Sequence, residues 1–119
     1  MPLEAHEPRE QLSKEVVNHR RALASLIEEL EAVSWYNERA AASDNPELVA
    51  IVEHNRDEEI EHAMMLLEWL RRNFSAFDEQ MKTYLFTEGP ITELEEAETG
   101  GGGSKAGDLN IGSMKKKED

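Results

Sequence analysis

The chain has 119 residues, no cysteine and a formal net charge of -13, with 26 acidic and 13 basic residues. The acidity argues against binding nucleic-acid phosphates, which requires a basic face. The lack of cysteine excludes disulfides, thiolate metal sites and cysteine nucleophiles, so Glu, Asp and His must hold any metal. No apolar stretch resembles a signal peptide or a membrane span, and we expect a cytosolic protein. The predicted elements begin after residues 1–12, a polar segment that we expect to be flexible.

The first predicted helix covers residues 13–42, a stretch without proline or glycine in which apolar side chains recur at helical spacing. About 29 helical residues span about 43 Å. The stripe that should face the core consists of Ala22, Leu26, Glu29, Val33, Tyr36 and Ala40.

A short connection at residues 43–45 precedes a second predicted helix over residues 46–73. Ser43 or Asn45 can cap this helix, and Pro46 suits its first position. Because the two helices are nearly equal in length and the connection is short, they are predicted to form an antiparallel hairpin. A two-helix hairpin has a thin core and usually buries its remaining apolar surface against another copy, so we expect a homo-oligomer.

The helical pattern becomes shorter after the hairpin. A third helix is predicted over residues 75–86, and residues 92–95 can open one or two further turns. The composition changes at Gly100, where a run of glycines begins. We therefore expect an all-α protein, a two-helix antiparallel hairpin plus a short third helix, that dimerises into a four-helix bundle. Its predicted parts are a flexible N-terminus at 1–12, a helical domain at 13–98, a Gly-rich linker at 99–106 and a tail at 107–119.

Ionisable side chains interrupt both core-facing stripes. Glu29 lies in the middle of the first. Glu59 and His62 lie in the second, three residues apart and therefore on one side of the helix. A buried carboxylate is unfavourable unless a cation compensates it, so the pattern indicates metal ligands. The complete second stripe is Leu48, Val52, Asn55, Glu59, His62, Leu66 and Trp69.

One chain supplies half of a di-iron ligand set. Di-iron bundles take one Glu from each of two helices and a Glu-x-x-His motif from each of the other two. Glu29, Glu59 and His62 are half of that set, so a two-fold dimer would complete the site and an isolated chain would not. Carboxylates and neutral imidazole suit iron. Tyr36, one heptad after Glu29, is predicted to lie beside the site.

Spacing leaves alternatives open. Glu58, four residues before His62, can share its side of the helix as well as Glu59 can. Glu28 and Glu31 form either a solvated charged surface or an uptake site that passes cations inward. A helical adaptor protein without metal chemistry is the main rival class. A reversible oxygen carrier is disfavoured because the stripe provides one histidine per chain.

Three sequence blocks resemble the signature of encapsulated ferritins. They are residues 28–36 (EELEAVSWY), residues 54–63 (HNRDEEIEHA) and residues 84–91 (YLFTEGPI). The similarity extends over residues 10–119. It implies a ferritin-like fold and a ferroxidase that oxidises Fe(II) to Fe(III) with O₂ at a di-iron centre formed between two chains. It also implies that five such dimers form a ring, a homodecamer.

The resemblance assigns roles to individual residues. Glu29, Glu59 and His62 match the iron ligands of the family, with two irons per dimer interface, and this favours Glu59 over Glu58. Tyr36 matches a tyrosine beside the centre.

The resemblance also implies a second metal site. Glu28 and Glu31 match an uptake site that binds a divalent ion near the channel of the ring, with calcium as a candidate ion. Trp35 matches a tryptophan near this entrance.

The tail resembles the cargo-loading peptide with which these ferritins bind an encapsulin shell. Leu109, Ile111 and Met114, with Gly112 between them, would fill apolar pockets on the shell wall. Met114 stands where leucine is more usual, and methionine can fill a similar pocket. The resemblance therefore implies iron mineralisation and storage in the lumen of an encapsulin nanocompartment within the prokaryotic cytoplasm, with neither nucleic acid nor membrane as a partner.

Overall fold

The structure is a computed structural model that describes residues 4–100, with side chains described for residues 4–95. Within this part of the chain there is no strand, and the prediction of an all-α protein built on a long helix pair is confirmed. The last helix is longer than the one or two turns expected. A 3-10 turn at Arg9–Gln11 is followed by α1 (Lys14–Ala42), α2 (Pro46–Asn73), α3 (Ser75–Tyr84) and α4 (Ile91–Gly100).

The boundary between the two long helices is set by polar side chains. The Oδ1 atom of Asn45 accepts a hydrogen bond from the backbone N–H of Leu48 at 2.9 Å, which makes Asn45 the N-cap of α2. Ser43 Oγ instead accepts from the backbone N–H of Asn45 at 3.1 Å and so stabilises the turn. Pro46 takes the first helical position, where its missing N–H costs nothing.

Helices α1 and α2 pack against each other in antiparallel directions. His19, near the start of α1, contacts the carbonyl of Asn73 at the end of α2, while Asn37 contacts Arg56. The apolar side chains buried between them are small or branched, so the helices can approach closely. They are Val17, Ala22, Leu26 and Ala40 of α1, and Ala63 and Leu70 of α2.

The stripe predicted for α2 is displaced from the side that α1 covers. Leu48 and Trp69, expected in the core, are 49% and 36% exposed, whereas Ala63 and Leu70 are 0% exposed. One neighbouring helix covers only part of a helix surface, and spacing does not show which part. Part of the predicted α2 stripe is therefore wrong for the single chain.

A second side of α2 carries three large apolar residues that are exposed. Ile51, Met65 and Trp69 are 53%, 59% and 36% exposed, and their separations of 14 and 4 residues place them along one side of the helix. His62 lies between them on this side. We call these four residues the open face of α2.

The described chain divides into two compact units after Ser75. In the second unit α3 ends at Tyr84, two residues before the predicted end. Phe86 has a φ of 59°, in the left-handed region, and so cannot continue a right-handed helix. Gly89 also has a positive φ of 90°, which glycine adopts without a steric penalty. No helix in residues 4–100 combines the length and the apolar character needed to cross a membrane.

Candidate metal centre

Three predicted ligands come together in the middle of the hairpin. Glu29 of α1 faces Glu59 and His62 of α2, and each offers a ligand atom within 4.8 Å of the others. Glu29 and Glu59 are each fifteen residues from Asp44 in the turn, so an antiparallel hairpin brings them to one level. In the described part of the chain this is the one group of three such side chains.

The imidazole of His62 lies between the two carboxyl groups. Its Nδ1 atom is 3.2 Å from Glu59 Oε1 and 3.5 Å from Glu29 Oε1. The Oε1 atom of Glu29 is buried and accepts no hydrogen bond. A buried carboxylate oxygen without a donor is unfavourable, and a bound cation would satisfy it.

The three groups alter one another's protonation. A hydrogen bond with Glu59, then burial and the charge of Glu59, raise the pKa of Glu29 above its usual value. The same hydrogen bond lowers the pKa of Glu59, so the contact disfavours the ionised form of Glu29 and favours that of Glu59. A hydrogen bond with Glu59 raises the pKa of His62, and the negative charges of both carboxyl groups add to this effect. A metal ion would therefore compete with protons at Glu29 and His62, because metal ligands bind in their deprotonated forms.

This donor set fits a first-row divalent metal such as iron. Two carboxylates and one imidazole are the ligand types that iron accepts, and three ligands leave coordination positions open. His62 is 43% exposed, Glu29 is 26% exposed and Glu59 is 25% exposed, so the cluster is accessible from the open face.

Tyr36 and Trp35 lie further along α1. Tyr36 is half-buried, and the guanidinium carbon of Arg39 is 5.5 Å from the centre of its ring. Trp35 is 53% exposed and lines a shallow surface groove with Glu38, Arg39 and Ala42.

Other predicted acidic residues stay outside the cluster. Glu58, the alternative ligand, lies 3.1 Å from the Nε2 atom of His54, and both side chains are more than half exposed. The geometry of the single chain thus favours Glu59. Glu28 is exposed and Glu31 is half-buried. The predicted shell-binding residues Leu109, Ile111, Gly112 and Met114 lie outside the described residues.

Two polar contacts between the helices were missed by sequence reasoning. His19 Nε2 lies 2.7 Å from the carbonyl oxygen of Asn73, and its ring stacks on Phe74 at 4.4 Å. Arg56 Nη1 donates to Asn37 Oδ1 at 3.0 Å. In the sequence these residues resemble ordinary polar residues on a helix surface. Only their similar distances from the turn, counted along the two helices, could have indicated the contacts.

The antiparallel hairpin and its carboxylate-histidine cluster together define a ferritin-like helical protein. The family model described as EncFtn-like matches residues 4–88. The chain belongs to the EncFtn-like family.

Known relatives are similar over most of their length. The chain is 55% identical to the "Encapsulated ferritin-like protein" of Rhodospirillum rubrum, covering 92% of this chain and 86% of that protein. It is 53% identical to the "Ferritin-like protein" of Thermotoga maritima, covering 89% of this chain and 93% of that protein. A Nitrosomonas europaea protein of known crystal structure is 56% identical, with a TM-score of 0.70 over 73% of this chain and 96% of that one. These similarities confirm the family resemblance.

Proposed function

We propose that this protein is a ferroxidase that oxidises Fe(II) to Fe(III) with O₂ at a di-iron centre shared between two chains. The observation that carries this proposal is the meeting of Glu29, Glu59 and His62, with ligand atoms within 4.8 Å of one another. The relatives named as ferritin-like proteins support iron as the metal.

Two chains are proposed because one chain supplies half of the required ligands. A di-iron bundle uses four carboxylates and two histidines, and this hairpin brings together two carboxylates and one histidine. A two-fold axis beside His62 would double this set. The exposed Ile51, Met65 and Trp69 around His62 support an apolar contact with a second copy.

The side chains would favour the oxidised product. Bound Fe(II) supplies one electron per ion, and two electrons with two protons convert O₂ to hydrogen peroxide. Glu29 and Glu59, once deprotonated, stabilise Fe(III) more than Fe(II) because Coulomb attraction grows with the charge of the cation. His62 must bind as neutral imidazole. A proton held by the Glu29 carboxyl or by the imidazole of His62 would therefore leave when metal binds. Tyr36 is proposed to act beside this centre.

The remaining parts of the proposal concern delivery and storage. The net charge of -13 would attract cations to the surface, and Glu28, Glu31 and Trp35 are proposed to form the uptake site, with calcium as a candidate ion. Five dimers are proposed to form a ring. Residues 107–119 would bind an encapsulin shell, so that Fe(III) is mineralised and stored in its lumen. The name of the Rhodospirillum rubrum relative, an encapsulated ferritin-like protein, supports encapsulation.

Two neighbouring substitutions test the ferroxidase. Protein is loaded with Fe(II) under nitrogen, air is admitted, and the absorbance of Fe(III) is followed. Glu59→Ala should reduce the rate to that of buffer, because it removes a ligand, whereas Glu58→Ala should leave the rate close to wild type. Oxidation by Glu59→Ala at the wild-type rate would contradict the proposal.

A further inference from the structure

A hydrogen-bonded arginine connects the two helices close to the metal centre. Arg56 Nη1 donates to Asn37 Oδ1 on α1 at 3.0 Å, and its Nε donates to Asp57 Oδ1 on α2 at 3.0 Å. The Arg56 side chain is only 25% exposed. Asp57 thus holds the Arg56 guanidinium against α2, so that Nη1 is directed at Asn37 on α1.

This contact lies one turn from the ligands of α2. Arg56 precedes Glu59 by three residues, or about 4.5 Å along the axis. Asn37 follows Glu29 by eight residues, or about 12 Å. Beyond the other end of the cluster, His19 Nε2 lies 2.7 Å from the Asn73 carbonyl. The metal ligands therefore lie between two polar contacts that join the helices.

Apolar packing alone sets the register of a hairpin loosely, because the hydrophobic effect has no preferred direction. A hydrogen bond does have one. Metal ligands must be held to within about 0.5 Å, yet sliding α1 by one residue moves Glu29 by about 1.5 Å along the axis. Partial slippage is therefore enough to separate Glu29 from Glu59 and His62.

We propose that Asn37 and Arg56 are positioning residues for the metal centre, and that their hydrogen bond fixes the register in which Glu29 meets Glu59 and His62. The identity of the metal rests on the function proposed above. The positioning role itself concerns metal binding and can be measured without iron oxidation.

The test uses Co(II) as a probe, in titrations under nitrogen. The visible absorbance of bound Co(II) reports its coordination. Full-length Asn37→Ala should bind Co(II) about tenfold more weakly than wild type, the usual effect of losing a group that orients ligands, with a changed absorbance per bound ion. Asn37→Asp keeps the acceptor oxygen and should restore both values.

The matched control is Asn18→Ala. Asn18 Oδ1 accepts from Arg21 Nη1 at 3.0 Å, so this variant removes the same kind of hydrogen bond, but within α1 alone. It should match wild type. Arg56→Lys keeps the charge but not the two-directional guanidinium, and should reproduce the loss seen with Asn37→Ala.

Equal Co(II) affinity and absorbance in Asn37→Ala and Asn18→Ala would overturn the positioning role. A loss that Asn37→Asp does not restore would also overturn it, because the acceptor oxygen would then not be the cause. If wild-type protein binds Co(II) and Glu59→Ala does not, but wild type never accelerates Fe(II) oxidation, the ferroxidase proposal fails. The Asn37 variants would still decide whether Asn37 and Arg56 position the metal ligands.

Discussion

The covered side of α2 and its open face differ in whether α1 buries their apolar side chains. Ala63 and Leu70, which face α1, are 0% exposed. On the open face, Ile51 and Met65 are more than half exposed although they are apolar. Packing of α1 against α2 explains why the covered side is apolar. It does not explain the apolar residues of the open face, which are of the kind that usually mark a contact with another molecule.

The metal cluster joins these two sides. Glu59 is 25% exposed and contacts Glu29 across the hairpin, whereas His62 is 43% exposed and belongs to the open face. One part of the site is thus arranged by folding of the chain. The other part is directed to the open face, where Ile51, Met65 and Trp69 are exposed. We infer that folding and completion of the site depend on different surfaces, which substitutions can separate.

The largest effect is expected on the covered side. Leu70→Ala should lower the free energy of unfolding by about 3 kcal/mol, because it removes buried apolar contacts and leaves a cavity. Met65→Ala, on the open face, should change the free energy of unfolding of the monomer by less than about 0.5 kcal/mol. Urea denaturation at a protein concentration low enough to keep the chain monomeric measures both. Equal losses would show that the two sides do not differ in this way.

The next effect should appear in self-association. Met65→Glu places a charge on the open face and should weaken dimerisation by about 100-fold, because a buried unpaired charge is costly. Ile60→Glu is the matched control, since Ile60 is 41% exposed and nine residues from both Ile51 and Trp69, on the opposite side of α2. Sedimentation equilibrium measures both. The open face would be rejected as the dimer contact if Ile60→Glu had the larger effect.

Protonation should affect stability and metal binding in opposite directions. The pKa of His62 is raised above its usual 6.5, so its contribution to stability is present below pH 6.5 and is lost as pH rises through the raised pKa. Co(II) affinity should instead increase with pH, by up to about tenfold per unit below that pKa, because the bound proton must leave.

Denaturation of EDTA-treated protein and Co(II) titration, each between pH 5.5 and 8.5, give the two dependences; this range is chosen to span about one pH unit or more on either side of the usual histidine value. His62→Gln should abolish the pH dependence of stability and that of Co(II) affinity between pH 5.5 and 8.5. Two dependences of the same sign would contradict the assignment of the proton to His62.

The smallest effect is expected at the turn. Asn45→Ala should destabilise the hairpin by about 1 kcal/mol through loss of the α2 N-cap, and Asn45→Asp should retain most of the stability. Thermal unfolding followed by circular dichroism measures this effect. Dimerisation per folded chain should be unchanged, because Asn45 precedes α2 and is not part of the open face. No difference between the two variants would argue against the cap.

Local signals made the helix bounds predictable. Pro46 and the predicted start of the third helix at Ser75 bounded α2 to residues 46–73, the same range that the structure shows. The cluster was also predictable, because ionisable residues at helical spacing inside apolar stripes require compensation. The covered side of α2 was not, since periodicity cannot show which part of a helix one neighbour covers.

The positioning contacts were beyond sequence reasoning for a related reason. Asn37 is an exposed polar residue of α1, and Arg56 lies in a charged run of α2, so each resembles a solvated surface. The inter-helix hydrogen bond joins residues at particular levels of the two helices, and the sequence does not show those levels to a fraction of a turn. The roles of the tail residues stay predictions.

The central claim is that the metal site is complete only when two chains meet. Native mass spectrometry of wild-type protein titrated with Fe(II) under nitrogen tests it most directly, because mass gives chain number and metal number together. The account predicts two irons on the dimer, none on the monomer, and a shift toward monomer after chelation. Monomers that bind one iron as readily as dimers do, or dimers that bind none, would contradict it.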